Sequence, residues 1–125
     1  MVLADFYTIR SSQVREDGKH LIEISIHPEH PIFDGHFPGR PVTPGVCMLQ
    51  IIKNITEDLL QTKLRMRSAK NIRFYAIIDP SVHPVLTLEL AVQETESIQI
   101  KANCSFEETV ALKMDLNFYR THPVV

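Results

Sequence analysis

A histidine in a loop rich in proline and glycine is the side chain of this sequence best placed to do chemistry. Residues 35–46 contain three prolines and three glycines, and His36 lies among them. Proline fixes φ and removes an N–H, whereas glycine permits φ values that other residues avoid, so this composition builds one particular backbone shape around the imidazole. A neutral imidazole is a suitable base near pH 7. Gln50 follows fourteen residues after His36, on the helix predicted next, where a catalytic partner is expected.

Each polar candidate also has a structural interpretation that the sequence leaves open. His36 can be a hydrogen-bonding group that only holds its loop. Gln50 lies in a strongly apolar part of the predicted helix, where it is expected to face a cavity or a partner because an unsatisfied buried amide is costly. Asn54 lies one turn further on and could be its hydrogen-bond partner. His27 and His30 lack further ligands at metal-binding spacing, so no metal site is expected.

The composition is that of an ordinary globular domain. The chain has 125 residues, of which 44% are hydrophobic and 22% charged, with a formal net charge of −2. This length predicts one domain, residues 1–125, with enough apolar residues for a core. The basic residues are scattered along the sequence, which disfavours nucleic acid as a partner. No run approaches the ~20 apolar residues of a membrane span, so a soluble cytoplasmic protein is expected. Cys47 and Cys104 are too few for a disulfide framework and are expected as buried, inert thiols.

Apolar periodicity predicts six strands and one long helix. Apolar residues alternate in the strands, which are expected at residues 6–14, 20–27, 67–78, 85–93, 98–106 and 110–119. The helix is expected at residues 44–62, where apolar residues recur three and four positions apart. Thr43 is predicted as its N-cap and Pro44 as its first residue. Nearly all of its first three turns are apolar, which predicts burial on most sides.

The order of these elements predicts how they pack. Consecutive strands joined by short turns form an antiparallel meander. One helix and one sheet must cover each other's apolar faces. The expected fold is therefore α+β, with a curved antiparallel β-sheet wrapped around one long central helix.

Two stretches of the sequence, together with this layout, resemble a known family. They are HPIFDGHFPGRPVTPGV at residues 30–46, and KNIRF at residues 70–74 with IDP at residues 78–80. The family is that of the 3-hydroxyacyl-[acyl-carrier-protein] dehydratases of bacterial fatty acid synthesis, which have the hotdog fold. The resemblance implies elimination of water from a 3-hydroxyacyl thioester to a trans-2-enoyl thioester, without a cofactor. It also implies an acyl chain on acyl carrier protein or coenzyme A, and a homodimer or a trimer of dimers.

The resemblance assigns roles to particular residues. It implies that His36 takes a proton from the α-carbon of the thioester. It implies that the backbone N–H groups of Gly45 and Val46, at the positive end of the helix, hydrogen-bond the thioester carbonyl. Phe37 is predicted to bind substrate, although Phe33 and Phe37 are each either a core residue or part of an acyl pocket.

Gln50 departs from the family pattern. The family has Glu or Asp there, which delivers a proton to the departing β-hydroxyl, whereas an amide cannot give up a proton at neutral pH. Asn54, beside it, is predicted to bind substrate. Asp34 could stand in for the acid, whereas Glu57 and Asp58 are expected about 10 Å further along the helix. Two functions stay open: a dehydratase (a lyase) that obtains the proton elsewhere, or a non-catalytic subunit that binds acyl chains or a partner. A thioesterase of the same fold is less expected, because those enzymes usually lack the His-Phe-Pro-Gly loop.

Overall fold

The computed structural model describes residues 4–34 and 42–121, which form one α-helix and six β-strands. The strands are β1 (Tyr7–Val14), β2 (His20–Ile26), β3 (Leu64–Phe74), β4 (Val85–Glu94), β5 (Ile98–Phe106) and β6 (Thr109–Arg120). The helix is α1 (Gly45–Leu60), and a short 3₁₀ helix, Pro31–Phe33, precedes it. The predicted order of elements is confirmed, with the ends of several elements shifted by one to four residues.

The six strands form one antiparallel sheet. Their order in space is β1-β2-β4-β5-β6-β3, so β3, which directly follows the helix in sequence, pairs with β6 at the far edge. The helix and the inner face of the sheet contribute to a single core of buried side chains. The helix supplies Cys47, Met48, Ile51, Ile52 and Ile55 to that core. The predicted α+β hotdog architecture, a sheet wrapped around one helix, is confirmed.

Strands β4 and β5 follow the predicted alternation closely. The buried residues occupy every second position, and they are Leu86, Leu88 and Leu90 in β4 and Ile98, Ile100, Ala102, Cys104 and Phe106 in β5. Burying one such large aliphatic side chain stabilises the fold by about 1.5–3 kcal/mol relative to leaving it exposed. The buried faces of β4 and β5 therefore pack in the same core as the helix.

Strand β3 departs from the predicted alternation. It was expected at residues 67–78 with one apolar face, but it spans Leu64–Phe74, and Ile72 and Phe74 are 38% and 58% exposed. Register shifts against β6 between Met66 and Ser68 and between Lys70 and Arg73 each place one extra residue in β3. A bulge of this kind disrupts the ladder locally and re-aims the side chains around it, so sequence alternation does not map onto one face here.

The start of the helix also differs from the prediction. Thr43 was expected as N-cap, but Pro44 holds that position, with extended backbone angles (φ −64°, ψ 144°) and no side-chain cap. The carbonyl of Pro44 accepts hydrogen bonds from the N–H groups of Cys47 and Met48, whereas the N–H of Thr43 donates to the carbonyl of Ile78. The prediction was wrong because this contact ties Thr43 to the chain after β3.

The helix is covered on one side only. It ends at Leu60, two residues earlier than predicted, because Gln61 adopts the left-handed conformation (φ 53°). Val46, in its first turn, is 54% exposed, and Gln50 and Asn54 on the same stripe are half-buried. Burial on most sides was therefore a wrong prediction for this stripe, which we call the open face of α1.

Candidate functional site

The structure describes the two segments that flank the loop of His36. His36 and Phe37 fall in residues 35–41, outside the described residues, so the predictions for them stay predictions. The upstream flank ends at Asp34 after the 3₁₀ helix, and the downstream flank resumes at Val42, just before α1. The contacts of these two flanks fix where the loop begins and ends relative to the helix and the sheet.

Two histidines hold the upstream flank against the N-terminal segment. The His27 ring donates from Nδ1 to the carbonyl of Asp5, 2.7 Å away, and its Nε2 accepts from the Thr8 hydroxyl, also at 2.7 Å. The His30 ring accepts at Nδ1 from the N–H of Ile32 and donates from Nε2 to a backbone carbonyl at 3.0 Å. These rings have structural partners, and no metal-binding cluster of His, Cys, Asp and Glu occurs within residues 4–34 and 42–121.

Phe33 is a core residue. It is 6% exposed, and its ring stacks on that of Phe6 at a centroid distance of 5.5 Å. Phe6 in turn meets the edge of the His30 ring at 5.2 Å. Of the two roles left open for Phe33, the structure supports the core rather than the lining of an acyl pocket.

The downstream flank opens onto an apolar cavity at the start of α1. The cavity has a volume of about 460 Å³ and is lined by residues 42–45 and by Phe74, Tyr75, Ala76, Ile77 and Ile78. The first N–H groups of a helix have no acceptor within it, and they carry the positive end of the helix dipole. Gly45 lines the cavity, and Gly45 and Val46 are the first two residues of the helix. A helix start next to an apolar space suits an acyl group with a polar carbonyl.

Gly45 lies against a neighbour that the sequence did not indicate. A Cβ at this position would lie 2.6 Å from Cζ of Phe74, closer than real Cβ contacts. The ring of Phe74 therefore lies directly against the helix start, although more than half of it is exposed. Phe74 belongs to the KNIRF stretch, but only the pairing of β3 with β6 places it here.

Gln50 and Asn54 interact as predicted from their helical spacing. Gln50 donates from Nε2 to Oδ1 of Asn54 at 2.9 Å. Asn54 also lies near the hydroxyl of Tyr7: burial raises the pKa of Tyr7, the Asn54 side chain opposes this shift, and the charge of Asp58 adds to it. Tyr7 lies 47 residues away from Asn54 in sequence, so helical spacing could not have pointed to it.

The acidic residues considered as substitutes for an acid at position 50 have other surroundings. Glu57 accepts a hydrogen bond from the N–H of Leu64 at 2.8 Å, which ties the end of α1 to the start of β3. Asp34 and Asp58 are exposed. Among the described residues, no carboxylate is hydrogen-bonded to Gln50.

Both cysteines are buried, as predicted, and no disulfide joins them. Burial raises the pKa of Cys104 to about 12 and also raises the pKa of Cys47. A thiol reacts as its thiolate, so neither residue is suited to act as a nucleophile. In the part of the chain that is described, no helix has the length and apolar character of a membrane span.

The arrangement of six strands around one helix is that of a hotdog protein. Residues 11–115 match the family model "ApeI-like", described as ApeI dehydratase, and the chain belongs to this family of FabZ-like hotdog dehydratases.

Curated relatives include 3-hydroxyacyl-[acyl-carrier-protein] dehydratases named FabZ. The relative from Hydrogenobaculum is 31% identical over 93 residues, which cover 72% of this chain and 63% of the relative. The relative from Proteus mirabilis is 32% identical over 87 residues, which cover 67% of this chain and 58% of the relative. This chain therefore matches less than two thirds of the length of either protein.

Solved structures support the fold. A chain of the dehydratase heterocomplex ApeI:P from Xenorhabdus doucetiae superimposes with a TM-score of 0.72 at 18% identity, covering 90% of this chain and 97% of that one. A hypothetical thioesterase with coenzyme A from Streptococcus pneumoniae gives a TM-score of 0.63 at 13% identity, covering 96% and 91%. At these identities the likeness concerns the fold, which dehydratases and thioesterases share.

Proposed function

We propose that this chain is a dehydratase of 3-hydroxyacyl thioesters. The observation that carries the proposal is the start of α1, where Gly45 lines an apolar cavity of about 460 Å³. Gly45 and Val46 are the first two residues of the helix, and the loop of His36 precedes them in the sequence. Membership of the ApeI-like dehydratase family supports the same chemistry. The acyl chain would be presented on acyl carrier protein or on coenzyme A.

In the proposed reaction, His36 takes the proton from the α-carbon. The electron pair of that C–H bond forms the α,β double bond, and the bond from the β-carbon to its hydroxyl oxygen breaks. Charge that develops on the thioester oxygen is stabilised by the N–H groups of Gly45 and Val46. The hydroxyl must leave with a proton as water, and Gln50 cannot supply that proton. We assign this step to the imidazolium formed on His36, which returns the proton it took.

A second function is favoured by the amide at position 50. Gln50 is engaged by Asn54 where the FabZ-like family has an acid, which suits a subunit that binds an acyl chain or a partner without turnover. The dehydratase heterocomplex ApeI:P has the same fold, and by analogy an unlike partner would supply the missing acid.

A hydration assay with short trans-2-enoyl pantetheine thioesters distinguishes the two functions. The rate is measured as the fall in the ultraviolet absorbance of the enoyl thioester. Turnover by the wild type that falls by about 10²–10⁴ in His36→Ala supports the dehydratase. His83→Ala, in the turn before β4, is the matched control and should keep the wild-type rate. An inert wild type that becomes active in Gln50→Glu supports the partner subunit. Absence of turnover in both the wild type and Gln50→Glu, over several chain lengths, would contradict the dehydratase, and release of free thiol would indicate a thioesterase.

We further propose that the chain works in the cytoplasm as a single domain that forms a homodimer or a trimer of dimers. The support is the apolar surface around the cavity, where Val46, Phe74, Tyr75 and Ile77 are each more than half exposed. Exposed apolar patches of this kind mark interaction sites. Sedimentation velocity of the wild type and of Ile77→Asp tests the assembly: a dimer that dissociates in the variant supports it, and a wild-type monomer contradicts it.

A further inference from the structure

The outer face of the sheet, which points away from α1, carries a cluster of basic side chains. In β6, Lys113 and Asp115 alternate with buried core residues, so both side chains lie on the outer face. Lys101 of β5 and Lys70 of β3 are each in register with Asp115 and share this face. All three lysines are exposed. Strand pairing therefore brings together cations that are far apart in the sequence.

A bulge in β3 adds Arg73 to this cluster. The ladder with β6 gains one extra residue in β3 just before Arg73, which is paired with Lys113. In a regular ladder Ile72 would lie opposite Lys113, and Arg73 would fall on the inner face. Asn71, in the bulge, has a left-handed backbone (φ 52°), a conformation that Asn adopts more readily than most residues. The bulge therefore sets two cations side by side.

The cations of this cluster are not neutralised by ion pairs. Within residues 4–34 and 42–121, Arg73, Lys101 and Lys113 have no carboxylate within ion-pair distance. Like charges at paired positions are destabilising, so the contact of Arg73 with Lys113 costs stability in the free protein. This repulsion is present although the chain as a whole has a net charge of −2. A bound anion would remove it.

Two carboxylates border the cluster, and both have other partners. Glu89 is ion-paired with Arg15 at 2.7 Å and with Lys19 at 3.7 Å. Asp115 accepts a hydrogen bond from Nδ2 of Asn71 at 2.8 Å. Even when the charge of Asp115 is counted, the cluster of three lysines and one arginine keeps an excess of positive charge.

The basic side chains line a cavity rather than a flat surface. This outer cavity has a volume of about 460 Å³, and its lining includes Arg73, Lys101 and Lys113. Cavities of this size hold small molecules. It is distinct from the cavity at the start of α1, because the two linings share only Tyr75 among the described residues.

We propose that the outer cavity binds a small molecule that carries two adjacent phosphate groups. Opposite residues of an antiparallel pair are about 5 Å apart and diagonal ones about 7–8 Å, so Lys113 lies between Arg73 and Lys101. One phosphate carries a charge of only about −2, whereas two adjacent phosphates carry enough charge for all three cations. Arg73 offers a planar fork to two phosphate oxygens, and the lysines act as point charges. The site is independent of the proposed function.

Titration calorimetry with inorganic pyrophosphate in a low-salt buffer tests this site. The wild type should bind pyrophosphate more tightly than sulfate at the same ionic strength, because sulfate is a single dianion. Arg73→Gln and Lys113→Gln should each weaken the affinity for pyrophosphate by about two- to fivefold, the size expected for ion pairs exposed to solvent. Lys63→Gln removes a charge just before β3, outside this cavity, and is the matched control that should keep the wild-type affinity.

Thermal unfolding gives a second measurement that moves in the opposite direction. Without anion, Lys113→Gln should raise the Tm by about 1–5 °C, because it removes the repulsion with Arg73. Pyrophosphate should raise the Tm of the wild type more than that of this variant, since a ligand stabilises the state that binds it. A variant that is less stable than the wild type in both conditions would give Lys113 a structural role only and would overturn the proposed site.

The remaining outcomes of the titrations also decide between binding and its alternatives. A wild type that does not bind pyrophosphate, or that binds sulfate equally well, would contradict the site. The same affinity in the wild type, Arg73→Gln and Lys113→Gln would indicate general screening of charge and would contradict it too. Tighter binding of a polyglutamate peptide or an oligothymidylate than of pyrophosphate would make the outer face a docking surface for a macromolecule instead. Weaker pyrophosphate binding confined to Arg73→Gln and Lys113→Gln supports the site.

Discussion

Strands β3 and β5 belong to the same sheet but differ in how they are covered. Along β5, buried residues alternate with exposed or half-buried ones, and each buried side chain packs in the core with the helix. Along β3, Leu64 is the one buried residue, and eight of the eleven are exposed. Both strands pair with β6, so backbone pairing alone does not decide which strand acquires a core face.

The difference arises because the single helix of this chain does not cover every strand of the sheet. The helix covers the middle strands, whereas β3 lies at the edge and carries two bulges that disturb its alternation. Its apolar side chains are left at the surface, next to the cavity at the start of α1. The same edge that is poorly covered is thus the one that borders the candidate site.

Thiol labelling should show the largest contrast between the two strands. Cys104 in β5 has a pKa of about 12 because it is buried, whereas a cysteine introduced by Ile72→Cys in β3 would have an ordinary, lower pKa. At pH 8 the exposed thiol should react on the order of a thousandfold faster, because the thiolate is the reactive form. Labelling followed by peptide mass spectrometry distinguishes the sites, and urea should abolish the difference. Equal rates in the native protein would mean that β3 is covered in solution.

Truncating isoleucine in each strand should give the next largest contrast. Ile100 in β5 is 1% exposed and Ile72 in β3 is 38% exposed. Ile100→Ala should lower the free energy of unfolding by about 2–5 kcal/mol, through lost burial and the cavity left behind. Ile72→Ala should change it by less than about 1 kcal/mol. Urea unfolding of both variants at low protein concentration checks this pair, and similar losses would remove the distinction between the strands.

A smaller effect is expected where β3 meets the helix. In Gly45→Ala the new methyl group meets the ring of Phe74, which is exposed enough to turn away. The change in stability should stay within about 1 kcal/mol, because alanine also favours the helix by about that amount. In a Phe74→Ala background, Gly45→Ala should become stabilising, with a coupling energy of about 0.5–3 kcal/mol between the two sites. A double-mutant cycle measured by urea unfolding tests the contact, and strictly additive effects would argue against it.

The smallest effect concerns the opposite end of the sheet, at the turn between β1 and β2. Asp17 is hydrogen-bonded by Arg15 and by the N–H of Lys19, which lower its pKa from 3.8 to about 2. Because the pKa is lower in the folded state, this carboxylate contributes stability above pH ~4 that is lost as the pH falls towards ~2. Asp17→Asn should therefore reduce slightly the dependence of the unfolding midpoint on pH in that window. The same acid dependence in the wild type and in the variant would contradict this assignment.

Local patterns in the sequence predicted what depends on neighbours along the chain. The strict alternation of β5 and the bond between Gln50 and Asn54, one helical turn apart, were both accessible in this way. Thr43 failed as N-cap because its N–H is drawn to the carbonyl of Ile78, a contact set by the tertiary fold. The contact of Tyr7 with Asn54 depends in the same way on packing between distant segments.

The clustering of basic side chains could not be predicted from the sequence either. The basic residues are scattered in the sequence, yet the register of the sheet gathers Arg73, Lys101 and Lys113 around one outer cavity, with Arg73 directly beside Lys113. Like charges at paired positions are destabilising. Strand order and bulge positions decide such neighbours, and neither can be derived from alternation within one strand.

The contacts of the two imidazoles after β2 close shorter loops of the chain than the pairing of β3 with β6. His27 and His30 reach backbone carbonyls 22 and 26 residues earlier in the sequence, whereas the pairing of β3 with β6 joins Leu64 to Arg120. Closing the shorter loops costs less chain entropy. The histidine contacts that hold the upstream flank of the His36 loop therefore cost less chain entropy than the pairing of β3 with β6.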